Sequence, residues 1–148
     1  MKRRLFLKNT ALAASSIAFL SSSSWARVKI DRLRTAHIGV GGMGGEDLKS
    51  ISSHKLVDVT ALCDVDANNL KAANKLHKGA KVFSDYRKLF DEIGKNIDAV
   101  IVSTPDHTHA PASILAMQMG KPVYCQKPLT HHVSEARAMR KMAEDNKL

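Results

Sequence analysis

Acidic residues are absent from the first part of the chain. Met1 to Ala26 holds Lys2, Arg3, Arg4 and Lys8 but no aspartate or glutamate. Setting that stretch aside leaves 19 basic and 14 acidic side chains, so only +5 of the formal +9 belongs to the remainder. Aromatics are scarce, at 5% of 148 residues, and few lie among the scattered bases. A basic stripe interleaved with aromatics is therefore not suggested, and no nucleic-acid partner is expected. Mild attraction for anionic ligands is the plainer meaning of the charge. Long apolar runs are missing as well. The stretch Ala11 to Leu20 is too short and too weakly apolar for a lasting membrane span. No cysteine directly follows it, which argues against lipoprotein processing. Among the histidines, neither His107/His109 nor His131/His132 has zinc-ligand spacing, so no metal is expected. What remains has ordinary composition, 44% hydrophobic and 25% charged, and is long enough for one domain with a real core.

Against this background one stretch stands out. The apolar run Ala36-His37-Ile38 leads into Gly39-Val40-Gly41-Gly42-Met43-Gly44, a G-x-G-x-x-G with glycines at 39, 41 and 44. The first glycine allows a tight strand-to-helix turn. The second removes a side chain so that backbone can approach a pyrophosphate, and the third lets the helix pack closely on the strand. The helix N-terminus then offers free N–H groups and a partial positive charge to phosphate. Gly-rich loops also occur as plain turns, but a second apolar run, Leu56 to Cys63, ends in Asp64, 20 residues past Gly44. A carboxylate at that distance meets the adenosine ribose of a dinucleotide. No arginine follows Asp64-Val65-Asp66 to accept a 2′-phosphate, which favours NAD over NADP.

The rest of the chain alternates strand and helix patterns. Strands are predicted at Thr35–Val40, Leu56–Cys63, Ala80–Phe83, Ile97–Val102 and Pro122–Cys125. Helices are predicted at Gly42–Ser53, Asp66–His77 capped by Asp66, Tyr86–Ile93 capped by Ser84 or Asp85, and Ala110–Met119 capped by Asp106 or Thr108 and stopped by Gly120. A last helix is predicted at Ser134–Lys147, with Ala136, Met139, Met142 and Ala143 inward. This pattern gives right-handed βαβ units on a doubly wound parallel sheet, an α/β Rossmann fold of order 3-2-1-4-5. Ligands on such sheets bind beyond the carboxyl ends of the strands, where Gly39–Gly44, Asp64, Ser103-Thr104-Pro105 and Gln126-Lys127-Pro128 all fall. The two cysteines, Cys63 and Cys125, end strands 2 and 5. These are three spacings apart, about 14 Å, beyond the roughly 7 Å a disulfide tolerates between Cα atoms. Both are read as buried thiols.

Residues 1–26 read as a secretory signal peptide, with a basic start, a short apolar centre and small residues at the end, Ser24-Trp25-Ala26. Arg3-Arg4-Leu5-Phe6-Leu7-Lys8 resembles the twin-arginine export signal R-R-x-F-L-K at every defined position. The resemblance implies export of a folded protein by the twin-arginine machinery to the periplasm or another extracytoplasmic compartment. It suits a protein that takes up its nucleotide in the cytoplasm. Residues 27–34 are read as a linker or lead-in strand, and 35–148 as the Rossmann domain.

Two further segments carry a family resemblance. Asp98-Ala99-Val100-Ile101-Val102-Ser103-Thr104-Pro105-Asp106-His107-Thr108-His109 contains T-P-x-x-x-H after a strand. Gly120-Lys121-Pro122-Val123-Tyr124-Cys125-Gln126-Lys127-Pro128-Leu129 is similar to G-K-x-V-x-x-E-K-P. Together with the Gly-rich turn they resemble the glucose–fructose oxidoreductase/inositol dehydrogenase (Gfo/Idh/MocA) family over residues 33–148. The resemblance implies NAD(P)-dependent oxidation or reduction of a sugar, cyclitol or related polyol. It implies that Gly39, Gly41 and Gly44, with Gly42 and Met43 in the same turn, hold the pyrophosphate and that Asp64 holds the ribose. Ser103, Thr104, Pro105 and His109 are then expected beside the nicotinamide. Lys127 is expected between nicotinamide and substrate, as a catalytic residue that also touches the cofactor. Its ammonium would stabilise alkoxide charge on the reacting hydroxyl.

The chain departs from the pattern at Gln126, where the motif has glutamate, which removes the carboxylate that would tune Lys127. Family members carry a second, C-terminal α/β substrate domain and form homo-oligomers, so this chain is expected to be the cofactor part of a longer protein. Three other readings compete. One is an NAD-dependent glycosidase of the same family, and another is a non-catalytic nucleotide-binding fragment. A methyltransferase would share a Gly-rich first turn, but Thr104-Pro105 and Gln126-Lys127-Pro128 speak against it.

Overall fold

The computed structural model describes residues 32–148; the predicted signal peptide lies outside the described residues. Five strands form one parallel sheet: β1 (Leu33–Ile38), β2 (Val57–Cys63), β3 (Lys81–Phe83), β4 (Ala99–Val102) and β5 (Val123–Cys125), in the order β3-β2-β1-β4-β5. This is the doubly wound order expected from the alternation. β1 begins at Leu33, inside the stretch read as a linker, and pairs there with Val57. It ends at Ile38 because Gly39 turns the chain with φ +85°.

Five helices follow the strands: α1 (Met43–Ser52), α2 (Ala67–Leu76), α3 (Tyr86–Ile93), α4 (His109–Gln118) and α5 (Val133–Asn146). Their starts follow local chemistry. Asp66 accepts from the Asn68 N–H at 2.8 Å and Asp85 from the Arg87 N–H at 2.9 Å. Each thus satisfies a backbone donor that the helix itself leaves open. At α5 the Glu135 side chain reaches back to the His132 N–H at 2.9 Å. Helix α4 departs from expectation. A 3-10 turn, Asp106–Thr108, precedes it, and neither predicted side chain caps it. The Thr108 hydroxyl donates instead to Pro105 O at 2.9 Å, and Asp106 accepts from the His107 N–H.

The sheet is covered on both faces. Ala36, Ile38, Ala61, Cys63, Val100 and Val102 pack under Leu89, Phe90 and Ile93 of α3 and Ala112 and Ala116 of α4. Each large aliphatic or aromatic side chain buried there stabilises the fold by about 1.5–3 kcal/mol. On the other face Val40, Leu48, Leu62 and Ala73 meet, and Met139 of α5 closes a third cluster with Ala110 and Met117. The period-2 alternation that points Ala36 and Ile38 to one face points Thr35 and His37 to the other. His37 is fully buried, with Nε2 3.2 Å from the Thr35 hydroxyl. Burial, aided by the charge of His77 and opposed by that of Asp47, pushes its pKa down to about 4.

Both cysteines are free thiols. Cys63 is buried as expected, and burial, with the charges of Asp64 and Asp85, pushes its pKa up to about 12. Cys125 corrects the expectation. It is only half-buried, because β5 lies at the edge of the described sheet.

Candidate functional site

An open cleft of about 430 Å³ lies across the carboxyl ends of the strands, at the switch point between β1 and β4. Its wall includes Gly39, Gly41, Asp64, Ser103, Thr104 and Pro105, six of the residues that the sequence singled out. Val65, Asp66, Asn69, Ser84 and Tyr86 extend it past the tip of β2.

The Gly-rich turn is built as its glycines require. Gly39 has φ +85°, and a Cβ there would lie 2.5 Å from Ser103 O. A side chain at 39 would therefore push β4's outgoing loop off the turn. At Gly44 an added Cβ would run into Gly39 O, so the helix sits directly against the turn. The space beside Gly41 is filled by the Asn69 side chain. Among the described residues the N–H groups of Gly41, Gly42 and Met43 have no hydrogen-bond partner, whereas Gly44 N–H donates to Gly41 O at 2.9 Å. Three donors at the start of α1 thus remain for an anion. Gly42 and Met43 sit on the outside of the turn, with Met43 55% exposed.

Asp64 is held in place before any ligand arrives. Its Oδ2 accepts from the Val40 N–H at 2.9 Å and its Oδ1 from the Asp66 N–H at 2.9 Å. Asn69 Nδ2 stands 3.4 Å from Oδ2, so this one side chain braces both the carboxylate and the Gly41 turn. A carboxylate has about four acceptor positions, so acceptor capacity remains for ribose hydroxyls. Sequence reasoning missed Asn69. Nothing in its spacing marks it, since its role arises from the way α2 folds back under the turn.

The predicted nicotinamide end divides. Ser103, Thr104 and Pro105 line the cleft, whereas His109 does not. Its ring is 1% exposed, with Nδ1 2.7 Å from Pro128 O and Nε2 2.7 Å from Thr104 O. Each nitrogen lies within hydrogen-bond distance of a backbone carbonyl, so the ring sits between two loops rather than in the cleft. Lys127 is exposed on the loop after β5 and is not part of the cleft wall. Gln126 donates from Nε2 to Asp47 on α1, and Asp47 also accepts from the Ser103 hydroxyl at 2.7 Å. Asp47 was not foreseen, because 79 residues separate it from Gln126. Among the described residues no group of three or more His, Cys, Asp or Glu is placed to hold a metal.

Comparison with known proteins agrees with this geometry. The model of the GFO_IDH_MocA oxidoreductase family, NAD-binding Rossmann fold, matches residues 33–148. A glycosyl hydrolase family 109 protein of Stenotrophomonas maltophilia is 34% identical over 137 residues, covering 85% of this chain and 29% of that protein. An inositol 2-dehydrogenase of Salmonella paratyphi B is 31% identical over 99 residues, 66% of this chain and 29% of that protein. Among solved structures, the myo-inositol 2-dehydrogenase of Lactobacillus plantarum superposes with a TM-score of 0.72 at 29% identity. That match covers 78% of this chain and 34% of the enzyme. KijD10, a 3-ketoreductase of Actinomadura kijaniata solved with NADP, gives 0.70 at 25% identity over 79% of this chain and 35% of its own. The chain thus spans about a third of the length of the relatives it matches. With the cleft, the Gly-rich turn and the braced Asp64 in place, these matches make one conclusion plain: the chain belongs to the Gfo/Idh/MocA oxidoreductase family, of which it carries the NAD-binding Rossmann domain.

Proposed function

We propose that this chain is the nucleotide-binding part of an exported, NAD-dependent oxidoreductase that transfers hydride between its cofactor and a CH–OH group of a sugar, cyclitol or related polyol. The observation that carries it is the placement of the prefixed Asp64 carboxylate and the open N–H groups of Gly41, Gly42 and Met43 around one cleft. These groups fit the ribose and pyrophosphate of a dinucleotide. Bound there, the cofactor supplies hydride chemistry. The chain's own residues do the rest. Asp64 accepts from the ribose hydroxyls, and the absence of an arginine after it favours NAD over NADP. Ser103, Thr104 and Pro105 form the wall against which the nicotinamide end rests. Lys127 donates to the substrate hydroxyl and stabilises the oxygen as negative charge develops on it. In this reading the leader containing Arg3 and Arg4 carries the folded protein through the twin-arginine machinery.

The test is calorimetric titration of the purified chain with NAD and NADP, after a check for nucleotide retained through purification. NAD is expected to bind more tightly than NADP. Equal binding would overturn the cofactor preference, and no binding by a folded chain would remove the reading's basis in this domain. Export is tested separately. Replacing Arg3 and Arg4 by lysine is expected to leave the protein in the cytoplasm, and unchanged export would refute the route.

A second reading has one observation in its favour. The match to the family 109 glycosyl hydrolase covers more of this chain than residues 33–148 alone, so it reaches into the leader. In that reading the same residues would hold an NAD that supplies transient oxidation of the sugar with no net consumption of cofactor. Retained NAD without net NADH formation in a full-length form would favour it over the dehydrogenase.

A further inference from the structure

Gln126 occupies the glutamate position of the E-K-P pattern, and the structure shows what its amide does instead. Nε2 donates to both oxygens of Asp47, at 3.2 and 3.0 Å. Oε1 accepts from the Lys127 backbone N–H at 2.8 Å. The main-chain N–H of Gln126 donates to Val102 O at 2.9 Å, anchoring the residue to β4. Asp47 completes the set by accepting from the Ser103 hydroxyl at 2.7 Å. Three segments distant in sequence therefore meet on one carboxylate: α1, the loop after β4 and the loop after β5. The pairing is chemically matched. A glutamate at 126 would still accept from the Lys127 N–H, but it would set a second carboxylate against Asp47, and the two would repel each other, which favours protonation of one of them as pH falls.

We propose that Asp47 is a positioning residue: its carboxylate, brought in from α1, stands in for the glutamate of the E-K-P pattern and fixes the Ser103 and Gln126-Lys127 loops relative to one another. The charge is kept but moved across the cleft edge, from the lysine's own loop to the facing helix. Lys127 is then held through its main chain by Gln126, whose orientation Asp47 dictates. The proposal rests on the function above only in giving Lys127 a ligand to act on. The hydrogen bonds stand without it.

The experiment compares four forms of the 148-residue chain: wild type, Asp47→Asn, Gln126→Glu and the double variant. Melting temperatures are taken at pH 5.5 and 8, and NAD affinity by calorimetry. Across that range the titratable neighbour on β1, His37, stays neutral, because its pKa is pushed down to about 4. Gln126→Glu is expected to melt about 5–10 °C below wild type at pH 8. It should recover part of that loss at pH 5.5, where one of the facing carboxylates takes up a proton. The double variant restores a matched amide and carboxylate with their places exchanged. It is expected to regain at least half of the loss at pH 8 and to lose the pH dependence, and NAD affinity should rank the four forms in the same order. A Gln126→Glu chain as stable as wild type at pH 8, or a double variant no better than Gln126→Glu, would overturn the proposal. If Gln126→Glu does not fold, a folded double variant is itself the rescue, and an unfolded one counts against the proposal. If wild type binds no NAD, the functional reading fails while the melting series still decides the role of Asp47.

Discussion

The carboxylate at the amino end of β4 and the two at the cleft treat negative charge in opposite ways. At the amino end Asp98, just before β4, meets the guanidinium of Arg34 on β1. Arg34 Nε donates to Oδ2 at 2.9 Å, a terminal nitrogen donates to Oδ1 at 2.7 Å, and the Arg34 backbone N–H adds a third bond. The side-chain bond to Arg34 holds the Asp98 carboxyl below its usual range. At the carboxyl end Asp64 and Asp47 accept only uncharged donors among the described residues: two backbone N–H groups, two side-chain amides and a hydroxyl. The contrast separates two uses of one side chain. A fork-shaped ion pair uses up the charge and ties β1 to β4. Neutral dipoles fix a carboxylate's direction and leave its charge available. Only the second arrangement suits a ligand rich in hydroxyls.

Four substitutions would break or sharpen this comparison. The largest effect is expected from Gly39→Ala, which combines a positive φ with a backbone clash at the centre of the ligand end. Destabilisation of about 3 kcal/mol or more is expected, read from chemical denaturation; a near-normal midpoint would show that the turn can relax. Next comes His37, between the two ends. Its folded pKa lies below the unfolded value of 6.5, so the folded state binds fewer protons. Stability should therefore fall as pH drops from about 6.5 to about 4, by about 3 kcal/mol from this residue. Burial lowers His77 too, with the same sign. Unfolding measured across that range should show a flatter slope for His37→Gln, and an unchanged slope would remove the assignment. The smallest effect bears on the comparison most directly. Asp64→Ala should weaken NAD binding about tenfold, roughly 1.4 kcal/mol, whereas Asp98→Ala should lower the melting temperature and leave NAD affinity alone. Equal losses of affinity would erase the distinction between the ends.

Much of this was legible in the sequence because it is local. The Gly-rich turn, the Asp66 and Asp85 caps, and the inward set Leu89, Phe90 and Ile93 each depend on residues within a few positions of one another. The strand order followed from alternation together with the dinucleotide-type turn after the first strand. What stayed hidden depends on distant partners. Asp47 and Gln126 meet across 79 residues. His109 carries a family signature, yet its ring turned out to be an internal tie, which no motif distinguishes from a cofactor contact. The start of α4 was misread because Thr108 has a competing acceptor in Pro105 O, a choice that only the 3-10 turn decides. Cys125 is half-buried because exposure at a sheet edge is a property of neighbours, not of the strand.

The His109 tie has a mechanical consequence. A ring that touches Thr104 O with one nitrogen and Pro128 O with the other is a rigid strut of fixed length. The ring thereby links the wall of the cleft at Thr104 to the segment that bears Lys127, through Pro128.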